Sequence, residues 1–185
     1  MNAISAREEQ LLKPTLKAAI IYDDFEFAAR TALQLEQAAV RSDEAMRWDI
    51  RPWRLDLLKS SSLAEAALAE AADADLIVIA LSRTPLVPDA LLGWLDRWAD
   101  GRRVREAALL VLCPEAAAGP KSSWERLKAF AAWRGLSFLD DRRRADGQDT
   151  LDRVHRWWPD RGQVNPALSW TADPPQSPRH WGINE

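Results

Sequence analysis

The chain holds one cysteine, Cys113, among 185 residues. No disulfide can close within it, and a reducing, cytoplasmic setting is expected. Excess charge of either sign is also missing: 25 basic residues stand against 28 acidic ones, a net of −3. Binding to DNA or RNA needs a basic stripe over the phosphates, so nucleic acid is not an expected partner. Long apolar runs are absent too. Met1 to Lys13 lacks the apolar core of a signal peptide, and no stretch approaches the roughly 20 residues of a membrane span, so no membrane partner is expected. Histidine is scarce. His155 and His180 are the only two, without cysteines or spaced carboxylates beside them, and they make no zinc signature. Tyrosine occurs once, while tryptophan occurs ten times.

What the chain does have is a run of short apolar strands separated by amphipathic helices. The most telling stretch is Asp75 to Leu81, nearly all apolar and β-branched. A run with no wet face reads as a strand buried on both sides of a parallel sheet. Upstream, Leu16 to Tyr22 reads as a first strand and Phe25 to Val40 as a helix capped by Asp23 or Asp24. Met46 to Leu55 alternates as a half-buried strand, placed at a sheet edge because it contains Pro52. Leu55 to Ser61 is taken as a connection. Ser62-Leu63-Ala64-Glu65 reads as a capping box, opening a helix whose inward stripe is Leu63, Ala67, Leu68 and Ala71.

Downstream, Pro88 suits the first turn of a helix that turns Leu91, Leu95 and Trp98 inward and ends at Gly101. Ala107 to Leu112 reads as the fourth strand. Ser122-Ser123-Trp124-Glu125 reads as a second capping box, opening a helix stopped by Gly135, with Trp124, Leu127, Phe130 and Ala131 facing the sheet. Leu136 to Leu139 is a short fifth strand, and Thr150 to Trp158 a last short helix. Residues 1–14 form a lead-in, 15–158 the α/β domain and 159–185 a tail with five prolines, Trp170 and Trp181. From Asp140 to Arg161, six arginines including Arg142, Arg143 and Arg144 are matched by six aspartates, so local salt bridging is favoured over a basic patch.

Five strands alternating with helices predict a three-layer α/β sandwich with a parallel sheet, and right-handed crossovers favour the order 2-1-3-4-5. In that order strands one and three are neighbours at the point where the sheet reverses direction of growth. Ligands bind beyond the strand ends there. The candidate binding residues are therefore Asp23 and Asp24 after strand one, and Ser82, Arg83 and Thr84 after strand three.

On these residues the chain resembles two groups of the flavodoxin-like fold. The Asp23-Asp24 pair after the first strand is similar to the acidic pair of bacterial response-regulator receiver domains. Where those domains carry a phosphoacceptor aspartate, this chain reads Leu81-Ser82-Arg83. Where they carry Ser/Thr and Lys after the fourth and fifth strands, it reads Cys113-Pro114 and Asp140-Asp141. The segment from Pro88 to Leu112, with Trp94, Leu95, Asp96, Trp98 and Gly101, is similar to a strand–helix unit of flavodoxin-like flavin reductases. Those proteins hold the flavin phosphate in a Ser/Thr/Gly-rich loop. Here that loop is Tyr22-Asp23-Asp24-Phe25-Glu26, whose three carboxylates would repel a phosphate. The resemblance implies the fold, with FMN as the cofactor the second group would bring, while Mg²⁺ is what the Asp23-Asp24 carboxylates themselves could hold. Neither cofactor has a full motif.

Each constellation has a plain alternative. Asp23 and Asp24 can hold Mg²⁺ through oxygen ligands, or one can cap the helix beside a solvated neighbour. Ser82, Arg83 and Thr84 can bind an anion, or Arg83 can pair with Asp23 or Asp24. Cys113 has no histidine within spacing range and is expected to be a buried, inert thiol. Trp94 and Trp133 fall off the main inward faces. With Trp98, Trp170 and Trp181 they are candidate interaction residues, covered either by the tail or by a protein partner or second copy. The expectation from these features is a receiver-like, non-catalytic interaction or regulatory domain. The alternative is a flavin- or small-molecule-binding enzyme.

Overall fold

The computed structural model describes residues 15–41, 47–83, 86–113 and 121–140, together with Val154 and Trp157. Five parallel strands form one sheet: β1 (Thr15–Tyr22), β2 (Arg47–Arg54), β3 (Leu76–Ala80), β4 (Ala108–Leu112) and β5 (Ser137–Asp140). Their order is β2-β1-β3-β4-β5, the flavodoxin-like arrangement. Four α-helices connect them: α1 (Phe25–Arg41), α2 (Ser61–Ala71), α3 (Asp89–Gly101) and α4 (Lys121–Trp133). No described helix is long and apolar enough to cross a membrane.

β3 is buried at every residue, and β4 likewise. Successive side chains on a strand point to opposite faces, so each strand feeds two cores. Ile77 and Ile79 join the cluster under α2, α3 and α4, with Ala19, Ile21, Leu109 and Val111. Leu76, Val78 and Ala80 join the other, with Leu16, Ile20 and Leu110, beneath Ala28, Leu35 and Ala38 of α1. Val154 and Trp157, both helical, pack on that second cluster. β2 lies at the edge, where the register sets Pro52 beside Ile20.

Several expectations shift. Leu55 to Lys59 is not a plain connection but a 3₁₀ helix with Leu55 and Leu58 buried. Ser60, not Ser62, is the N-cap of α2, and it makes no side-chain capping bond, so there is no capping box there. The buried stripe of α2 is Ala64, Ala67 and Ala71, while Leu63 is exposed. The reason lies in α3. Trp94 and Trp98 are only 2% and 1% exposed, and their indole N–H groups donate to the carbonyls of Ala64 at 3.2 Å and Ala71 at 2.8 Å. Two bulky indoles need small partners, and the alanine stripe supplies them. Trp94 is therefore a core residue and not an off-face one. Cys113 is half-buried rather than buried. Gly135 closes α4 at φ +67°, with Gly135 N–H donating to Ala132 and Leu136 N–H to Ala131, a Schellman ending that leads straight into β5.

The indoles separate cleanly by role. Trp98→Ala should lower unfolding free energy by about 3–5 kcal/mol, because it empties a core site. Trp133→Ala, at a side chain 73% exposed, should cost about 1 kcal/mol or less. Urea denaturation of both variants checks the contrast.

Candidate functional site

α1 covers one face of the sheet and α3 the other, so the loops leaving β1 and β3 part company at their carboxyl ends. Two aspartates bridge the parting. Asp24 is the N-cap of α1: its Oδ1 accepts from the Phe27 N–H at 2.9 Å, and its carbonyl accepts from Ala28 at 3.0 Å. Its other carboxylate oxygen pairs with the Arg83 guanidinium. Asp23 reaches across to the β3 loop. One oxygen accepts from the Ser82 N–H at 2.8 Å and from the Ser82 hydroxyl at 3.4 Å, and the other from the Arg83 N–H at 2.9 Å. Four of the five candidate binding residues are thus brought together. The fifth, Thr84, lies outside the described residues.

This clasp bears on the earlier alternatives. The capping role falls to Asp24, and Arg83 pairs with it. The Phe27 amide is the chief cause that holds the Asp24 carboxyl below its ordinary range; partial desolvation opposes it and Arg83 assists it. Among the described residues no group of three His, Cys, Asp or Glu side chains is placed to hold a metal ion.

Beside the clasp is a cleft of about 360 Å³, lined by Tyr22, Asp23, Arg54, Leu55, Asp56, Lys59, Pro88 and Ala90. It opens at the carboxyl ends of β1 and β2, against the first turn of α3. Arg54 ends β2, and its guanidinium grips Asp56 with two nitrogens, Nε to Oδ1 at 3.0 Å and Nη2 to Oδ2. That grip is the main cause that lowers the Asp56 carboxyl from its ordinary value. Lys59 closes the 3₁₀ helix. Sequence reasoning missed Arg54, Asp56 and Lys59. The signal was available: in the order 2-1-3 the end of the second strand adjoins the end of the first, so charged residues there belong to the same rim.

The tryptophans are divided. Trp94 and Trp98 are in the core, where neither can meet a partner. Trp133 is exposed at the end of α4, with the Arg134 guanidinium 4.2 Å over its ring. Arg134 also pairs with Asp96 and, at 2.5 Å, with Asp100, tying α4 to α3. Trp170, Trp181, His155, His180 and the Arg142–Arg144 triplet lie outside the described residues.

No protein-family model and no curated protein matches the chain. Two solved structures are similar to it in fold. One is rubredoxin oxygen:oxidoreductase from the anaerobe Desulfovibrio gigas, 13% identical with a TM-score of 0.46 over 81% of this chain. This chain spans only 36% of that protein's length. The other is the flavodoxin-like domain of a Synechococcus protein, 12% identical with a TM-score of 0.44, over 76% of this chain and 92% of that one. The fold assignment stands on the strand order itself.

Asp23→Ala should leave two backbone N–H groups without their acceptor. Stability should fall by about 2 kcal/mol, with faster hydrogen exchange at the Ser82 and Arg83 amides. For Asp24 the sign follows from its lowered pKa. The stabilising effect of its charge is fully present above the ordinary carboxylate pKa, about 3.9, and is lost as pH falls through the lower folded value. The stability gap between the wild type and Asp24→Asn should therefore narrow on acidification below about pH 4, read by denaturant titration at each pH.

Proposed function

We propose that the protein is a non-catalytic, receiver-like regulatory or protein-interaction domain. The observation that carries this reading is the use made of Asp23 and Asp24. In a receiver-like site such a pair faces a ligand. Here both carboxylates are engaged by Phe27, Ser82 and Arg83, which makes the pair a clasp between two loops. Exposed apolar side chains add support. Phe25, Leu33 and Val40 of α1 and Trp133 of α4 are open to solvent, and aromatic residues such as Phe and Trp are enriched where proteins meet.

A second reading, a small-molecule-binding protein of the same fold, is favoured by the cleft beside the clasp. Its volume falls at the lower end of the range for ligand pockets, about 300–1,000 Å³. The flavin form of this reading is opposed by Asp23, Asp24 and Glu26 at the start of α1, where a phosphate would have to sit.

Native mass spectrometry of the purified protein tests the first reading. A clean multiple of the 20.9 kDa chain, or a complex with another protein, is expected. That association should survive Asp23→Ala and weaken in Trp133→Ala or Leu33→Glu. A bare monomer that also captures no protein counts against it. Extra mass equal to a flavin, with visible absorbance, would replace it with the enzyme reading.

A further inference from the structure

We infer that α1 is the surface on which two copies of the chain pair, their helices antiparallel across a twofold axis beside Leu33. The inference rests on the protein-interaction reading above and gives it a partner. It starts from the way α1 is placed. Ala28, Thr31, Leu35 and Ala38 are buried on the sheet side, which leaves the opposite side of the helix turned outward. At 3.6 residues per turn the middle of that outward side falls at Leu33, with Glu26 and Val40 one heptad to either side. A helix side that meets only water is ordinarily polar. Here Leu33 is 53% exposed and Val40 84%, on one line, at the spacing with which one helix meets another.

Charge points to a second copy as the partner. Arg30 and Glu36 stand three residues before and three after Leu33, and both are exposed. Neither makes an ion pair among the described residues. They are not neighbours on their own helix either, where ion pairs form between residues three or four apart. In an antiparallel pair centred on Leu33, each residue faces the one as far beyond Leu33 as it lies before it. Leu33 then meets the partner's Leu33, Arg30 meets the partner's Glu36, and Glu36 meets the partner's Arg30. A parallel pair would set Arg30 against the partner's Arg30 and Glu36 against the partner's Glu36. The charges therefore select the antiparallel orientation, and one self-complementary patch serves both copies. Glu26 falls opposite the partner's Val40 and stays at the wet rim. One helix on one helix is a small contact, below the roughly 1,200 Å² at which specific interfaces reach standard size, so the dimer is a weak one.

The test is sedimentation equilibrium of the full chain at protein concentrations up to about 1 mM. A species of twice the 20.9 kDa chain mass should form, with a Kd of about 10–100 µM. Arg30→Glu and Glu36→Arg should each weaken it about tenfold, because each sets like charges face to face at both contacts. Combining Arg30→Glu with Glu36→Arg in one chain restores opposite charges and should return the Kd to within about threefold of wild type. An equimolar mix of the two single variants should associate more tightly than either alone. Circular dichroism confirms that the variants fold. A Kd unchanged by the single variants would place the contact elsewhere and overturn the inference, and so would weakening without recovery in the double variant. A monomer throughout the concentration range would overturn it as well. If that monomer binds another protein and Leu33→Glu abolishes the binding, the interaction reading survives without the second copy; if it binds none, both fall.

Discussion

β3 has no side exposed to water, and the rest of the molecule follows from that. Leu76 to Ala80 are buried on both faces, so their amides and carbonyls must find partners inside the protein, and they do so in β1 and β4. Their side chains alternate between two cores, so helices are needed above and below. A parallel strand can be reached only by a crossover, and crossovers of one hand place α1 and α3 on opposite faces. The loops beyond β1 and β3 then diverge, leaving a gap in the sheet's upper rim. The Asp23 carboxylate spans that gap with hydrogen bonds to backbone 59 and 60 residues further along the chain. The clasp is thus a local answer to a problem set by topology.

The core under α2, α3 and α4 is unusual in how it is filled. α2 contributes alanines, which bring little apolar area of their own. α3 compensates with two indoles lying across them. A buried tryptophan removes on the order of 200 Å² from water, worth about 4–5 kcal/mol at 25 cal/mol per Å² as an upper estimate. Each indole also carries an N–H that needs a partner once it is away from water. The alanine stripe meets both needs, since small side chains leave helix carbonyls within reach. Packing and polar satisfaction are achieved here by one arrangement.

Much of this is legible in the sequence. Strand order, the buried character of Leu76 to Ala80 and the edge position of the strand with Pro52 all follow from patterning that is dominated by burial. The rest depended on neighbours that a linear reading does not show. Trp94 falls off the narrow stripe of Leu91, Leu95 and Trp98, but a helix wedged between a sheet and a second helix buries a wider arc, and Trp94 faces Ala64. Leu63 looks more apolar than Ala64, yet the indoles of α3 select the alanine face. The 3₁₀ helix at Leu55 to Lys59 is too short for periodicity to reveal. For the site, the role of Asp24 as a cap was readable from its position, and so was Arg83 as an ion-pair partner. The cleft was not, because Arg54, Asp56 and Lys59 become neighbours of Tyr22 only through the pairing of β1 with β2.

One feature of β2 bears on how copies of the chain can meet. It is an edge strand, and an edge offers unpaired backbone groups that invite another strand to extend the sheet. Pro52 has no amide hydrogen to offer, and Arg47, Asp49 and Arg51 put charged side chains along the strand, Arg51 and Asp49 paired with each other. A second β2 laid alongside would have to desolvate these charged groups, and Pro52 could donate no hydrogen bond to it. Growth into a continuous intermolecular sheet, the first step of fibre formation, is disfavoured along this border.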